Sequence, residues 1–229
     1  MTNRLIRRSK LIITIDGPAG SGKSTVARLV AKKLKVPYID TGAMYRAVTL
    51  KALQTKTPFN DAPALTRLAK KATIQLLQTA TDQQKVFLDK KDVTKKIRSP
   101  QLTKNVFYVA QIPSLRREMV RKQRLLGKKK GGVMEGRDIG TVVFPKAGFK
   151  FYLTADPKVR AKRRYEELKK SKQNIRFSDV LRDLVKRDET DTERKEGPLK
   201  RAKDAVLVDT SPLTIDEVVD KIYSAVNNQ

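Results

Sequence analysis

LIITIDGPAGSGKST, residues 11–25, joins a short run of apolar and β-branched residues to a loop that contains three glycines. The apolar run is typical of a parallel strand that is buried on both faces. After the loop, apolar residues recur at helical spacing from Val26 to Leu34. The order of strand, glycine loop and helix, with a Gly-x-x-x-x-Gly-Lys-Ser pattern over residues 17–24, predicts a phosphate-binding loop, or P-loop.

In such a loop, successive backbone amides point at the phosphates of a nucleotide, and the following helix begins at the same phosphates. We therefore expect Lys23 to bridge the β- and γ-phosphates, and the Ser24 hydroxyl to help hold Mg²⁺. The nucleotide-binding residues predicted here are Gly17, Pro18, Ala19, Gly20, Ser21, Gly22, Lys23, Ser24 and Thr25.

The composition limits both the chemistry and the setting of the protein. Its 229 residues suffice for one domain with an insertion, and 39% of them are hydrophobic, as in globular proteins. Cysteine and histidine are absent, which excludes thiolate nucleophiles, imidazole bases and Cys/His zinc sites. No apolar run is long enough for a membrane span and no secretory signal precedes the first strand, so we expect a cytoplasmic protein.

The net charge of +27, from 51 lysines and arginines against 24 acids, has two interpretations. One is a charged surface together with a site for anionic nucleotides. The other is the binding of nucleic acid, either as weak non-specific attraction or as the main role of an RNA-associated P-loop protein. The basic residues form no single stripe interleaved with aromatics, which favours the first interpretation.

The remaining sequence alternates five short apolar strands with helices, which predicts an α/β fold with a parallel sheet covered by helices. The alternation is interrupted by TIQLLQ and KVFLD, which flank a polar turn and predict a β-hairpin. We expect a flexible basic leader over residues 1–10 and a single domain over 11–229. Within that domain, GKKKGG at 127–132 is predicted to be a loop, and the segment 190–202 is predicted to be irregular.

Arginines recur at the predicted turns, and bidentate guanidinium groups suit a second phosphate and a transferring phosphoryl group. Arg137 is distinctive because glycines flank it in GRDIGT, just after a strand end, where sites of α/β proteins lie. Neither the N-K-x-D motif of GTPases nor the Asp-Glu strand end of motor ATPases is present. The arginines at these turns are Arg46, Arg116, Arg137, Arg160, Arg163, Arg164, Arg187 and Arg194.

Four runs, TIDGPAGSGKST, YIDTGAMYRAV, EGRDIGTVVFP and KRDETDTER, closely resemble bacterial cytidylate kinases, in that order and over roughly residues 11–226. The resemblance implies a nucleoside monophosphate kinase fold with a five-stranded parallel sheet. It also implies a small β-containing monophosphate-binding insertion at about 60–100 and a short lid at about 157–176. The implied reaction moves the γ-phosphate of ATP to CMP or dCMP, and more weakly to UMP, with Mg²⁺; we expect a monomer that binds these small molecules and no membrane.

The resemblance further implies roles for individual residues. Lys23, Arg137 and Arg194 are expected to be catalytic. The lid residues Arg160, Arg163 and Arg164 are expected to approach the phosphates of ATP. In the CMP site, Arg46, Arg137 and Arg194 would hold the phosphate, Arg187 and Asp191 the ribose, and Arg116 and Asp138 the cytosine. Thr41 and Tyr45 stand at the positions that complete this site.

One position departs from the family pattern. Where cytidylate kinases usually carry a serine that hydrogen-bonds the base, this chain has Phe107. Phenylalanine cannot make that bond, so either another residue makes the contact or the protein is a UMP/CMP kinase of looser base selectivity. A third possibility is that a local shift of the helix turns Phe107 into the core.

Overall fold

The computed structural model describes residues 11–79, 83–170 and 175–228, so the predicted leader lies outside the described residues. Eight strands are found in this part of the chain, and most are short and rich in β-branched residues. They are β1 (Ile12–Asp16), β2 (Tyr38–Asp40), β3 (Ile74–Gln78), β4 (Gln84–Leu88), β5 (Lys91–Asp92), β6 (Gly132–Gly136), β7 (Phe149–Thr154) and β8 (Val206–Asp209).

The main sheet has the order β2-β6-β1-β7-β8, and all its neighbouring strands are parallel. β1 lies at its centre, and Ile13, Thr14 and Ile15 are all fully buried because helices cover both faces. This confirms the five-stranded parallel sheet that the sequence predicts. The carboxyl ends of β1, β2 and β6 lie at one edge of the sheet, directly before the predicted site residues.

Helices follow most of these strands, and their apolar faces build one hydrophobic core on each side of the sheet. They are α1 (Lys23–Leu34), α2 (Thr41–Gln54), α3 (Ala62–Lys71), α4 (Pro100–Gln111), α5 (Pro113–Lys130), α6 (Pro157–Lys170), α7 (Phe177–Glu193) and α8 (Ile215–Asn227). The short segments Lys96–Arg98 and Ile139–Val143 form a 3₁₀ turn and a π-helical turn. α1 and α8 pack on one face, while α2 and α5 pack on the other.

The predicted hairpin is confirmed as β3 and β4, which pair antiparallel and continue into β5 as a separate small sheet. Two glutamines that face each other across this hairpin form hydrogen bonds with β2, on the side of β2 where the sheet ends. The Tyr38 amide donates to Gln78 Oε1 at 3.1 Å, and Gln84 Nε2 donates to the Tyr38 carbonyl at 2.5 Å. The amide of Asp40 donates to Gln84 Oε1 at 3.3 Å. The glutamine side chains therefore take the place of a further strand at the sheet edge.

Two predicted irregular segments are wrong. α5 continues to Lys130, through the segment expected to be a loop, because Gly127 lies under Phe144: a Cβ there would come within 2.6 Å of the Phe144 ring. α7 likewise continues to Glu193, so the first part of the expected irregular segment is helical. In both places tertiary contacts overrule a local sequence signal of weak helix propensity.

Candidate active site

The glycine loop after β1 has the geometry of a phosphate cradle. Gly22 adopts φ 81° as the residue before α1, a conformation that favours glycine. A Cβ on Gly17 would lie 2.1 Å from the carbonyl oxygen of Leu153, so the loop can approach β7 only without a side chain. These two positions explain why the spacing of the motif requires glycine.

Lys23 begins α1 and is almost fully buried, with Nζ donating to the Pro18 carbonyl at 3.0 Å. Burial, together with the positive charges of Arg137 and Arg187, lowers the pKa of its amine to about 7. The protonated amine therefore lacks enough nearby negative charge to stabilise it, and a bound anion would supply that charge. The loop thus brings together the amine of Lys23 and the N-terminus of α1, where an anion can bind.

Glu135, at the end of β6, connects the P-loop to the edge of the sheet. Ser24 Oγ donates to Glu135 Oε2 at 2.8 Å, and the Tyr38 hydroxyl donates to the other oxygen of the same carboxylate. Burial, and then the nearby charge of Asp40, raise the pKa of Glu135. Thr41 follows the neighbouring strand β2, and its hydroxyl donates to the Glu135 backbone carbonyl at 2.6 Å.

Glu135 is the first residue of the EGRDIGTVVFP run, but the sequence alone predicted no role for it. The signal that could have found it is a carboxylate at the end of an otherwise apolar strand, since the carboxyl ends of parallel strands carry the sites of α/β sheets. Its contact with Ser24, which is 111 residues away in sequence, could not be read from either motif alone.

A cluster of arginines surrounds Asp191 near the end of α7. Arg137 Nε donates to Asp191 Oδ2 at 2.7 Å, and Arg194 Nη1 lies 3.5 Å from Asp191 Oδ1. Although burial opposes it, the charges of Arg137, Arg194 and Arg187 lower the pKa of Asp191. Burial, and then Arg137, lower the pKa of Arg187 to about 10. Three predicted acceptor-site arginines are thus brought together around one carboxylate.

Arg46 approaches the same region from α2, where it pairs with Asp40 at 2.7 Å. Asp40 also accepts a hydrogen bond from the Ala43 amide and so caps α2, which fixes the start of the helix that carries Arg46 and Tyr45. Arg46 Nε and Arg194 Nη2 are buried donors without a protein partner among the described residues. Buried donors of this kind are costly unless a ligand accepts from them.

Arg116 and Asp138, the expected base contacts, form a buried ion pair at 2.5 Å. Arg116 also donates to the Ala110 carbonyl at 3.2 Å and lies over the Tyr45 ring, 5.5 Å from its centroid. Gly197, at φ 59°, passes directly over the pair: a Cβ there would lie 2.2 Å from Asp138 Oδ2. The structure therefore brings these two residues together and holds them in one geometry.

Phe107 is 36% exposed and contacts Tyr108 edge to face, with ring centroids 5.4 Å apart. The interpretation of Phe107 as a core residue is therefore wrong. The buried face of α4 is formed instead by Leu102, Val106 and Val109. Their helical spacing places Phe107 at the border between the buried and the exposed face of the helix.

The three lid arginines lie in different surroundings. Arg160 is buried and donates to the Ala19 carbonyl of the P-loop at 3.1 Å and to Asp188 at 2.5 Å. Arg163 donates to Thr210, whose hydroxyl donates to the Ser21 carbonyl at 3.2 Å, so it reaches the P-loop through one residue. Arg164 pairs with Glu167 on the surface. Of the three, Arg160 touches the predicted nucleotide site directly.

The P-loop lies at the carboxyl end of the parallel sheet. The arginines around Asp191 lie close enough to it to lower the pKa of Lys23. This combination defines a P-loop phosphotransferase. The family model for cytidylate kinase matches residues 13–228. The chain belongs to the cytidylate kinase family.

Relatives of similar length agree with this assignment. A cytidylate kinase from Caldanaerobacter subterraneus subsp. tengcongensis is 49% identical over 93% of each chain. One from Bacillus subtilis is 47% identical over 96% of this chain and 98% of its own. A solved structure of an uncharacterized protein from Eubacterium ventriosum matches with a TM-score of 0.55 over 96% of this chain and 99% of that chain. Its sequence identity is 13%, so it supports the fold alone. In the described part of the chain, the helices are too short or too polar to cross a membrane.

Proposed function

We propose that this protein transfers the γ-phosphate of ATP to CMP, giving ADP and CDP, with dCMP as a second acceptor. The observation that carries the proposal is that the P-loop and the arginine cluster meet at the end of β6, where Ser24 binds Glu135 and Arg137, two residues further on, binds Asp191. Two anion sites of this kind, side by side, suit a donor triphosphate and an acceptor monophosphate. Phosphoryl transfer depends mainly on such positioning and charge neutralisation, which a chain without histidine or cysteine can supply.

At the donor site, Lys23 would exchange its hydrogen bond to Pro18 for bonds to the β- and γ-phosphate oxygens. The P-loop amides of residues 17–25 would hold the β-phosphate. Arg160 already touches the loop at Ala19, and a small movement of α6 would bring its guanidinium group onto a phosphate. Arg163 would support the loop through Thr210 rather than bind ATP directly.

Ser24 and Glu135 are the residues that would hold Mg²⁺, because a hydroxyl and a carboxylate oxygen already lie 2.8 Å apart there. Across the described residues, no group of three or more His, Cys, Asp or Glu side chains could hold a metal alone. An ion at this place would therefore take its other ligands from phosphate and water, as Mg²⁺ commonly does. When bound, Mg²⁺ would neutralise charge on the phosphate oxygens.

At the acceptor site, Arg46, Arg137 and Arg194 would bind the CMP phosphate. The unpartnered donors Arg46 Nε and Arg194 Nη2 supply hydrogen bonds that a phosphate oxygen can accept. Asp191 would hold Arg137 and Arg194 in position while its remaining lone pairs accept from the ribose hydroxyls. The charged form of Arg187, whose pKa burial and Arg137 lower to about 10, would be stabilised by the phosphate dianion of CMP.

At the base, Asp138 would accept from the exocyclic amine of cytosine, and Arg116 would donate to its ring nitrogen and carbonyl. Uracil has a carbonyl in place of that amine and would set an acceptor against the carboxylate. Leaving a buried polar group unpaired in this way costs about 1–3 kcal/mol. Since Phe107 offers no hydrogen bond, we propose that Arg116 and Asp138 carry the base preference.

The domain arrangement that goes with this function is a core domain with two further parts. A monophosphate-binding insertion spans about residues 60–100, a lid spans about 157–176, and both close when the two nucleotides are bound. Closure would exclude water that could otherwise hydrolyse ATP. We propose further that the protein acts as a monomer.

The test is an ADP-release assay across all common nucleoside monophosphates, with the Lys23→Ala variant beside the parent protein. We expect CMP and dCMP to be preferred, and Lys23→Ala to lose about 10³–10⁵ in rate, the range known for single cations in phosphoryl transfer. Lys33→Ala, on the same helix, is the matched control, because Lys33 pairs with Asp220 on the far side. A preference for a purine monophosphate, or a Lys23→Ala variant with more than about a tenth of the parent rate, would contradict the proposal.

A further inference from the structure

The turn that follows Arg137 and Asp138 has an uncommon backbone. Ile139–Val143 forms a single π-helical turn, a geometry often found at functional sites. The amides of Val142 and Val143 donate to the Asp138 carbonyl. So short a turn leaves amides at its start and carbonyls at its end without partners inside the turn.

The start of the turn is held by Asp16, the last residue of β1 and the neighbour of the P-loop. Its two carboxylate oxygens accept from the amides of Ile139 and Gly140 at 2.9 and 2.7 Å. Gly140 lies so close to the sheet that a Cβ on it would come within 2.8 Å of Thr14 Oγ1. One carboxylate thus joins the P-loop strand to the turn that carries Arg137 and Asp138.

The end of the turn is held by Arg124 from α5. Its Nη2 donates to the Val142 carbonyl at 2.7 Å, and its Nε donates to the Val143 carbonyl at 3.0 Å. Two other arginines lie near it along the helix, but their partners are carboxylates: Arg117 pairs with Glu196 and Arg121 with Glu118. Among these three exposed arginines, Arg124 alone contacts the turn within the described residues.

We propose that Arg124 is a positioning residue for the acceptor site, acting with Asp16 on opposite ends of the π-helical turn. The inference rests on the proposed function, since it concerns how Arg137 and Asp138 are aimed at CMP. Both residues directly precede the turn, so a shift of the turn moves both side chains together. In the described part of the chain, the hydrogen bonds of Arg124 go to the Val142 and Val143 carbonyls and none goes to Arg137 or Asp138, so it acts on them through the turn.

The experiment compares Arg124→Met with Arg121→Met, which removes a neighbouring arginine of the same helix without touching the turn. We expect Arg124→Met to lower kcat/KM for CMP about tenfold or more, because misplacing a binding group by 1 Å can cost about a hundredfold. The KM for ATP should stay within about twofold, since the P-loop keeps its own contacts. Arg124→Lys, which can still donate to one carbonyl, should recover part of the loss.

A double-mutant cycle separates positioning from a general structural effect. If Arg124 acts through Asp138, then Arg124→Met should cost much less in an Asp138→Ala background than in the parent protein. Arg121→Met should leave kcat/KM for CMP unchanged in either background. Asp16→Asn, which keeps an acceptor for one amide but sets an NH₂ group against the other, should show the same loss for CMP.

Three outcomes decide the matter. If Arg124→Met and Arg121→Met give the same kcat/KM for CMP, the positioning role is refuted. If the losses from Arg124→Met and Asp138→Ala simply add, Arg124 acts on something other than the base contact, and the proposal is also refuted. The parent protein is assayed beside them: absence of CMP phosphorylation there would refute the proposed function itself, which keeps the two failures distinct.

Discussion

The lowered pKa of Lys23 leads to a direct test of the donor site, which is that ATP binding should take up a proton. In the free protein, burial and the charges of Arg137 and Arg187 hold the pKa of this amine at about 7. A bound triphosphate brings negative charge to within hydrogen-bond distance and returns the pKa toward the ordinary value of lysine. Above pH 7, therefore, the bound state holds more protons than the free state.

The magnitude follows from the two protonation states. At pH 8, an amine with a pKa of about 7 is about 10% protonated, whereas an ordinary lysine is almost fully protonated, so uptake should approach about 0.9 proton. By linkage, the logarithm of the ATP association constant should fall by about 0.9 per pH unit near pH 8. Below pH 6, Lys23 is already protonated in the free protein, and its contribution to uptake should disappear.

The assay is isothermal titration calorimetry of Mg-ATP at pH 8, in two buffers that differ in ionisation enthalpy. The difference between the two observed enthalpies gives the number of protons taken up. Lys23→Met is the control, because it keeps an unbranched side chain of similar length and removes the titrating group. Equal uptake in Lys23→Met and in the parent protein would show that another group titrates, and that the electrostatic account of Lys23 is wrong.

Three further results are expected. Asp138→Asn, which offers an amide donor to the uracil carbonyl, should narrow the CMP/UMP ratio of kcat/KM by about tenfold or more; an unchanged ratio in initial-rate assays would show that Asp138 does not read the base. Gly197→Ala, whose Cβ would lie 2.2 Å from Asp138 Oδ2, should raise the KM for CMP and lower Tm, and a Tm equal to that of the parent would contradict the packing argument. Gln84→Met should speed hydrogen exchange of the Asp40 amide by removing its acceptor, while Gln75→Met on the same hairpin should leave that exchange unchanged.

The parts of the fold that sequence predicts well are those fixed by local pattern. The strand–loop–helix unit over residues 12–34 is such a part, because the apolar run, the glycines and the helical period agree with one another. The helix cap at Asp61 and the capping box at Thr214 are likewise fixed by local sequence. Gly127 shows the opposite case, since its place in a helix depends on Phe144, which is distant in sequence.

For the site, the sequence predicts residue types better than partners. Arg137, Arg194 and Asp191 were all expected at the acceptor, but nothing in the sequence says that Asp191 binds both arginines. Glu135 and Arg124 were missed, because their contacts join residues far apart in the chain. The π-helical turn was expected only as a glycine-bounded turn, since its geometry depends on groups supplied by other elements.

The charge of the site follows a different logic from the charge of the whole chain. Surface lysines and arginines are screened by salt and contribute little to any single contact. Arg137, Arg187 and Arg194 lie partly buried around one carboxylate, and burial lowers the pKa of Arg187 and Arg194, so the charged forms of these two groups oppose folding. A phosphate dianion bound at this cluster would reduce that penalty, and part of its binding free energy would be the relief of repulsion among these groups. We therefore expect an anionic acceptor to gain binding free energy at this cluster, in a chain that has neither histidine nor cysteine to offer it.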